Sequence, residues 1–437
     1  MLTRTNKAAT EEVISLLDVG SFKTTCLIVG RRQGAQGSAV GQPPARILGI
    51  GQCRSQGIKA GTVTDLNLAE ETVRAAVGRA EAQSGLRVEE VIVAATCGRI
   101  GSTNFRASAT VGQSRVKEVD VDRVLTAAER FAATDGRSLL HMHGLGYRLD
   151  DTASVVNPIG MAAERLSLDV NAVTADEAPI RNLTLLIERC YLRVAEVYAA
   201  PYASALAAMT EEEAKLGVTV VDMGGGTTSL ASFLDGQLVH VDAIAVGGNH
   251  LTYDIARTLS TPLAEAERIK TLYANLMGAH SDEHDLVSFP VTGEEGGVMH
   301  HTSKARLRQI VRPRVEEILG LIRERLSRAG YGEAVSNRFV LAGGASELVG
   351  LLPFATRELG GVVRLGTVRT LQGVPRALTS PSLAAVAGLA GLAPAGEQVW
   401  RLGSMGTGSA PGYLGRVGRW LRESFWDDES RTATTGT

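Results

Sequence analysis

Two short stretches of this sequence combine a carboxylate, glycines and hydroxyls at the same spacing. The first is "LLDVGSFKTT", residues 16–25, and the second is "VVDMGGGTTS", residues 220–229. In each, an aspartate ends an apolar run that predicts a buried strand, and a glycine follows two residues later. Glycines let backbone N–H groups approach a polyphosphate without a Cβ in the way. Each stretch is therefore a candidate phosphate-binding hairpin.

The aspartates of the two hairpins, Asp18 and Asp222, are candidate ligands of Mg²⁺. Mg²⁺ dehydrates reluctantly, so we expect them to hold it largely through water. The hydroxyls of Ser21, Thr227 and Thr228 are candidate donors to phosphate. One such hairpin is weak evidence, because hairpin turns use Gly and Asp for purely structural reasons. Two copies about 200 residues apart, each at the start of a domain-like unit, favour a functional interpretation and predict an internal duplication.

A third stretch, "VLAGGASELVGL" at 340–351, predicts a strand, a Gly-Gly turn and a helix. In an arrangement with two phosphate hairpins, this turn would contact the adenosine of a nucleotide. The three elements in this order make a purely structural explanation much weaker than it is for one hairpin.

Strands and helices alternate around these motifs, as in α/β nucleotide-binding folds. Residues 13–29 predict strand, turn and strand, and 218–248 repeat that pattern. From about 98 to 176 short strands flank one helix, which predicts a small inserted α+β module. The helices predicted from apolar spacing are 67–83, 120–133, 183–189, 250–257, 263–273, 307–329 and 379–391.

Length and composition bound the class of protein. A chain of 437 residues is too long for one ordinary core, so we expect two or more domains. The net charge of -2 gives no reason to expect nucleic acid binding. Four scattered cysteines favour buried thiols in a reducing cytosol over a zinc site or disulfides. We find no secretory signal and no apolar run of the ~18 to 20 residues that would span a bilayer, so any membrane contact should lie on the surface.

The last tenth of the chain contains all three tryptophans, and its stretch "LGRVGRWLRESFW" at 414–426 predicts an amphipathic helix. A Gly/Pro/Ser-rich segment precedes it and is typical of a flexible linker. Apolar residues form one stripe: Leu414, Val417, Trp420, Leu421 and Phe425. Arginines lie on the rest of the wheel: Arg416, Arg419 and Arg422. This pattern is typical of a helix that lies in an anionic membrane surface. The alternative is a helix docked on the protein's own body.

The order of the three motifs resembles the superfamily of actin, the DnaK chaperones and the sugar kinases. Within it, residues 13–426 resemble the FtsA family of actin-like bacterial cell-division proteins. The stretches that carry the resemblance, besides the two later motifs above, are "GIKAGTVTDL", "AVGGNHLTYDIA" and "LAEAERIK". The inserted module and the terminal helix also lie where that family has them.

The resemblance implies an α/β, actin-like two-lobed fold with duplicated ribonuclease-H-like domains, an inserted subdomain 1C and a C-terminal amphipathic helix. The implied segments are a disordered N-terminus, 1–12; subdomain 1A, 13–91 and 173–216; subdomain 1C, 92–172; subdomain 2A, 217–247 and 308–393; subdomain 2B, 248–307; a linker, 394–412; the membrane helix, 413–426; and a disordered tail, 427–437.

The resemblance also implies an ATP and Mg²⁺ site in the cleft between the lobes. The residues expected along the phosphates are Asp18, Gly20, Ser21, Phe22 and Lys23 from one lobe and Asp222, Gly224, Gly225, Gly226, Thr227 and Thr228 from the other. Those expected near the nucleoside are Gly247, Gly248, Asn249, Glu267, Lys270, Gly343, Gly344 and Ala345. For Glu267 and Lys270, which lie three residues apart, the alternative is a solvated salt bridge.

The partners that the resemblance implies are the C-terminal peptide of FtsZ, other copies of the chain in a filament, the membrane surface and later division proteins. Arg314 and Glu317, in "RPRVEEILGL", are the residues expected to contact the FtsZ peptide, with an ordinary charged helix face as the alternative. The implied location is the cytoplasmic face of the inner membrane at the septum. The implied function is to tether FtsZ filaments there and to help recruit later divisome proteins.

One departure from the superfamily concerns ATP turnover. Members that hydrolyse ATP briskly place a Glu or Gln near the start of the helix after the last strand of the first domain, where it positions the attacking water. Here the matching stretch is "YAAPYASA", with Ala199 and Ala200 before Pro201. We therefore expect slow or absent turnover.

Two other classes of protein are alternatives to this one. A metabolic kinase on the same fold would need a catalytic Asp poised over a substrate hydroxyl, and no such feature stands out. PilM, the FtsA-like protein of pilus assembly, lacks a reason for a linker and membrane helix. Four histidines, His280, His284, His300 and His301, fit no metal-binding spacing and are interpreted as solvated loop residues.

Overall fold

The structure is a computed structural model that describes residues 11–32, 45–132, 136–152, 154–294, 298–331, 333–372 and 379–392. The predicted linker and membrane helix, 394–426, and the predicted tail, 427–437, lie outside these residues.

The strands are named here in chain order. They are β1 (Glu11–Val19), β2 (Lys23–Arg32), β3 (Ala45–Arg54), β4 (Ile58–Lys59), β5 (Thr62–Val63), β6 (Glu90–Ala95), β7 (Gly101–Thr110), β8 (Arg137–Leu149), β9 (Ser154–Val155), β10 (Arg165–Asp176), β11 (Arg193–Ala199), β12 (Val218–Met223), β13 (Thr228–Leu234), β14 (Gln237–Ile244), β15 (Leu286–Pro290), β16 (Met299–Ser303), β17 (Arg338–Ala342), β18 (Val362–Leu365) and β19 (Leu371–Gln372).

The helices are named in the same way. They are α1 (Leu66–Ser84), α2 (Glu118–Ala132), α3 (Glu177–Arg189), α4 (Ala200–Ala208), α5 (Glu211–Leu216), α6 (Gly248–Leu259), α7 (Leu263–Tyr273), α8 (Lys304–Ala329), α9 (Glu333–Ser336), α10 (Leu351–Leu359) and α11 (Ala384–Leu392). Short 3-10 helices cover His280–Glu283, Gly344–Glu347 and Pro381–Leu383.

Two large sheets repeat one topology. The first has the order β11-β6-β1-β2-β3-β19, and the second begins β18-β17-β12-β13-β14. β1 pairs antiparallel with β2 and parallel with β6, and β12 pairs antiparallel with β13 and parallel with β17. The duplication and the two-lobed fold predicted from the sequence are confirmed. The central strands are nearly continuous apolar runs because helices cover both faces of these sheets.

The inserted module extends the second sheet. Its strands follow β14 in the order β7-β10-β8-β9, and the link to the second lobe is the single pair Asp242↔Gly101. Asn171 Nδ2 strengthens this junction, because it donates to Asn104 Oδ1 at 2.6 Å and to the carbonyl of Val239 at 3.0 Å. α2 covers one face of β7 and β10 and closes a small core of its own.

Buried apolar residues form three clusters. The first joins the first sheet, α4, α11 and the facing side of the second sheet, the second fills the rest of the second lobe, and the third fills the insert. In the first cluster, α4 and α11 pack closely because both are built from small residues. A Cβ on Gly388 of α11 would lie 1.8 Å from the carbonyl oxygen of Ala203 in α4, so only glycine permits this approach. The small-residue helix predicted at 379–391 thus packs between the first sheet and α4, and α4 in turn contacts β12 and β13 of the second lobe.

Most predicted helices are present, with shifted ends. The prediction of 263–273 coincides with α7. α8 begins at Lys304, three residues before the predicted start, because Ser303 Oγ caps the backbone N–H of Arg306 at 3.2 Å. α3 begins six residues early, and its Pro179 is tolerated because the first turn has no intrahelical N–H bond to lose. β1 begins at Glu11, inside the stretch predicted to be disordered.

The 13-residue β8 was not predicted at all. Its histidines and glycines obscure the alternation that marks a strand. Within the described ranges, no helix is long and apolar enough to cross a membrane.

Candidate functional site

Most of the predicted site residues meet in one cleft of about 390 Å³ between the lobes. The two hairpin turns, the start of α6, one face of α7 and the turn after β17 form its walls. The predicted residues that line it are Asp18, Gly20, Ser21, Phe22, Lys23, Asp222, Gly224, Gly225, Gly226, Thr227, Gly248, Asn249, Glu267, Lys270, Gly343, Gly344 and Ala345. The volume lies within the range of small-molecule and cofactor sites.

The two hairpins have matching turns as well as matching sequences. Gly20 N–H donates to the carbonyl of Lys23 at 3.2 Å, and Gly224 N–H donates to the carbonyl of Thr227 at 2.9 Å. A Cβ on either glycine would meet that same carbonyl oxygen, at 2.9 Å and 3.0 Å. The aspartate two residues earlier faces the seventh residue after it in both hairpins. The spacing seen in the sequence is therefore one local structure used twice.

The two turns approach each other across the cleft. A Cβ on Gly226 would lie 2.5 Å from Ser21 Oγ, and a Cβ on Gly225 would lie 2.7 Å from the Cβ of Phe22. Ser21 Oγ is itself held, because it accepts the backbone N–H of Gly61 at 2.7 Å. A group bound between the turns would thus be contacted by both lobes at once.

The carboxyls of Asp18 and Asp222 are half-buried on the floor of the cleft. Burial, followed by the neighbouring Asp222 carboxylate, raises the pKa of Asp18 to about 7. Burial also raises the pKa of Asp222, and a hydrogen bond from Ser204 and the charge of Lys23 oppose that rise. When both carboxyls are ionised, their negative charges repel each other. A divalent cation bound beside them would neutralise these charges.

Lys23, which the sequence predicted to be a site residue, carries a positive charge that lowers the pKa of both carboxyls. Its Nζ donates to Ser382 Oγ at 3.0 Å, on the loop before α11. Burial lowers the pKa of Lys23, against the attraction of Asp18. This lysine therefore joins the first hairpin to the far end of the cleft.

Glu267 and Lys270 form an ion pair in the cleft wall. Lys270 Nζ lies 2.7 Å from Glu267 Oε2, 2.9 Å from Thr252 Oγ1 and 3.1 Å from the carbonyl of Gly248. The two side chains are only 14% and 16% exposed. The pair thus joins α7 to the start of α6 and is not the solvated pair that the spacing alone allowed.

Two predicted residues do not line the cleft. Thr228 is fully buried, whereas its neighbours Thr227 and Ser229 face the cleft, because successive strand residues point to opposite faces. Gly247 lies beneath the second turn, where a Cβ would meet the carbonyl oxygen of Gly224 at 2.6 Å. It supports the turn, and the next two N–H groups donate to the carbonyls of Gly224 and Gly225.

Further lining residues were missed from the sequence. They are Thr96, Ser229, Leu251, Thr271, Glu347, Leu348, Val349, Pro381, Ser382 and Ala385. Glu347 to Val349 lie within the third stretch, 340–351, but only Gly343, Gly344 and Ala345 of that stretch were predicted to be site residues. Pro381 and Ser382 carry no local signal, because they reach the cleft only through the packing of α11.

A second groove, of about 400 Å³, lies between α6 and α8 and contains both Arg314 and Glu317. Arg314 bridges Asp254, with Nε to Oδ2 at 2.8 Å, and Glu317 also pairs with it. The groove is lined by Asp254, Thr258, Arg306, Gln309, Ile310, Pro313, Arg314 and Glu317. Arg314 and Glu317 thus face a concave surface that combines charges with apolar positions.

His300 and His301, predicted to be loop residues, lie in β16 and have local partners. His300 Nε2 lies 2.7 Å from Glu294 Oε2, and His301 Nδ1 lies 3.0 Å from Ser288 Oγ. Across the residues that the structure covers, no group of three potential metal ligands occurs.

Duplicated sheets that face each other across a glycine-lined cleft are the architecture of actin-like ATPases. Solved structures with this fold resemble the chain. PilM in the "PilM-PilN type IV pilus biogenesis complex" has a TM-score of 0.59 at 18% identity, over 87% of this chain and 99% of that one. MreB5 of Spiroplasma citri bound to ADP has a TM-score of 0.51 at 12% identity, over 86% and 95%. The chain therefore has the actin-like fold.

Sequence relatives identify the family. The model of "Cell division protein FtsA" matches residues 219–388, and the model of the "SHS2 domain inserted in FTSA" matches 97–174. FtsA of Agrobacterium fabrum is 38% identical over 94% of this chain and 95% of its own, and that of Neisseria meningitidis is 30% identical over 95% and 99%. FtsA of Escherichia coli is 28% identical over 96% and 100%. The chain belongs to the FtsA family of cell division proteins.

Proposed function

We propose that this protein binds ATP with Mg²⁺, polymerises on the cytoplasmic face of the membrane at the septum, tethers FtsZ filaments there and helps recruit later divisome proteins. The observation that carries the proposal is the convergence of two matched hairpin turns and the Gly343–Gly344 turn on one cleft. That arrangement suits a triphosphate held by both lobes and a nucleoside held between α7 and the third turn.

The residues fit Mg²⁺ through the two half-buried carboxyls on the cleft floor. Asp18 and Asp222 are too few to complete six ligands, so water and phosphate oxygens would supply the rest. The ion would neutralise charge between these carboxylates and the phosphates. Lys23 would contact the phosphates from the first hairpin, and backbone N–H groups of both turns would donate to them.

A fluorescent ATP analogue titrated into the full chain, with Mg²⁺ or with EDTA, tests this part of the proposal. We expect saturable binding that Mg²⁺ strengthens and that unlabelled ATP displaces. Absence of binding under both conditions would overturn the nucleotide proposal.

We propose that turnover is slow or absent. Ala199 and Ala200, at the position where a water-orienting Glu or Gln is expected, are fully buried and have no polar side-chain atom. A steady-state ATPase assay should give a rate far below that of a sugar kinase. A rate comparable to a working kinase would contradict this interpretation.

The groove between α6 and α8 is the proposed site of the FtsZ C-terminal peptide. Arg314 can offer a guanidinium to a peptide carboxylate, and Ile310 and Pro313 offer apolar contact. Arg314→Ala should weaken peptide binding in fluorescence anisotropy. Arg312→Ala is the matched control, because Arg312 pairs with Glu316 on the same helix and does not line the groove. Equal effects of the two changes would count against this site.

The membrane contact is assigned to residues 413–426, which the structure does not describe. Liposome co-sedimentation with and without residues 411–437 tests it, and we expect loss of binding on truncation. Trp420→Glu should release the chain from anionic vesicles, whereas Trp400→Glu, outside the predicted helix, should not. One short helix binds weakly, so filament formation would raise the avidity. Retained binding of the truncated chain would overturn the tether.

Self-association and recruitment complete the proposal. We propose that neighbouring copies stack as in other actin-like filaments, and that the insert meets later division proteins or an adjacent copy. Electron microscopy of the ATP-bound chain on a lipid monolayer should show filaments. A monodisperse monomer on lipid at saturating ATP would refute the polymer.

A further inference from the structure

Ser204 is a fully buried serine on α4, and its hydroxyl bonds to a residue of the other lobe. Its Oγ donates to Asp222 Oδ2, at the carboxylate that heads the second hairpin. α4 follows the last strand of the first lobe but packs against β12 and β13 of the second lobe. The contact thus fixes a side chain of the candidate site from the opposite lobe.

The carboxylate of Asp222 is restrained at both oxygens. Oδ2 accepts from Ser204, and Oδ1 lies so close to the third turn that a Cβ on Gly343 would come within 2.3 Å of it. Gly343 in turn donates its N–H to the carbonyl of Pro381 at 2.9 Å. The carboxylate is therefore held by α4 at one oxygen and lies close to the third turn at the other.

The first hairpin lacks this support. α11 packs against β1 as α4 packs against β12, and a proline lies near the start of each helix: Pro381 precedes α11, and Pro201 is in the first turn of α4. Three residues after the proline, the chain has Ala384 in place of Ser204. Among the described residues no side-chain hydroxyl donates to Asp18. Within the described part of the chain, Asp222 thus accepts a hydrogen bond from a buried serine, and Asp18 accepts none from a hydroxyl.

We propose that Ser204 is a positioning residue that orients Asp222 toward Mg²⁺ and its water ligands, and so makes nucleotide affinity depend on the metal. The inference rests on the proposed function. Hydrogen-bonded partners of metal-binding groups fix their orientation, and their removal typically lowers metal affinity about 10- to 100-fold. Water that bridges Asp222 to the ion would need the same fixed carboxylate.

The test is Ser204→Ala in the full chain, which removes one oxygen and leaves a strong helix former. Titration of a fluorescent ATP analogue with Mg²⁺ should show an affinity about tenfold lower than wild type. The affinity in EDTA should stay unchanged. Titration of Mg²⁺ at fixed nucleotide should show the same rightward shift. In an Asp222→Asn background, Ser204→Ala should add no further loss.

Ser232→Ala is the matched control. Ser232 is a fully buried serine of β13 whose hydroxyl meets Thr219 Oγ1 at 2.8 Å, away from the cleft. It should leave both affinities unchanged. An unchanged Mg²⁺ response in Ser204→Ala, or an equal loss in EDTA, would overturn the positioning role while leaving ATP binding intact. Absence of Mg²⁺-dependent binding in the wild type would overturn the proposed function and this inference together.

Discussion

Gly226 is the residue where one added methyl group should separate the lobes. In the described structure, a Cβ at this position would lie 2.5 Å from Ser21 Oγ, 2.7 Å from Ser21 Cβ and 3.0 Å from the backbone nitrogen of Ala60. The Ser21 hydroxyl cannot turn away freely, because it accepts the N–H of Gly61 at 2.7 Å. Ser21 Cβ cannot turn away at all, so the turns themselves must move apart.

The size of the effect follows from the overlap. Overpacking by one methyl group costs about 1–3 kcal/mol. A factor of ten in affinity corresponds to about 1.4 kcal/mol, so this range predicts about 5- to 150-fold weaker ATP binding. We expect the loss in binding and not in folding, because the turns can separate at the cleft without opening either core.

The assay is titration of a fluorescent ATP analogue into Gly226→Ala, with a thermal melt of the same sample. Gly78→Ala is the control, because a Cβ at Gly78 in α1 would have nothing within 4 Å. That change should leave ATP affinity unaltered and stabilise the fold by about 0.5–1 kcal/mol. Wild-type affinity in Gly226→Ala would refute the idea that both turns close on the nucleotide.

Three further predictions concern the supports of the site and the insert. Lys270→Met should lower the free energy of unfolding by about 2 kcal/mol in urea denaturation, because it removes the cation beside Glu267 and leaves that carboxylate with the Thr252 hydroxyl; the double variant with Glu267→Gln should recover part of that loss. Asn171→Ala should cost about 1–3 kcal/mol and speed hydrogen exchange in β7 and β14, since it removes one of the two amide groups that donate to the Val239 carbonyl and leaves only Asn104; unchanged exchange would contradict the link. Burial raises the pKa of Glu129 in α2 from 4.5 to about 7. The folded chain holds this proton more tightly, so the free energy of unfolding should fall as pH rises from about 4.5 to about 7, and Glu129→Gln should lose about 1–2 kcal/mol of that dependence after allowance for screening.

Local patterns predicted much of the fold. The hairpins were recognisable because the aspartate, the glycine two residues later and the hydroxyl residue opposite the aspartate all lie in one short stretch of sequence. Helices such as α7 were recognisable because their apolar spacing and their boundaries are local. β8 was missed, and α3 was predicted six residues short at its start, because the pattern of residues in these segments does not show their burial.

The sequence by itself determined the duplication, the three-motif cleft and the family to which the chain belongs, because each depends on residues close together in the chain. Only the tertiary structure decided which residues face the cleft. In the structure the side chain of Thr228 points into the core, whereas Ser229 faces the cleft. The structure also places Ser382 beside Lys23. It also brought Ser204 of one lobe to Asp222 of the other. These contacts depend on how α4 and α11 pack between the lobes, and no short stretch of sequence encodes that packing.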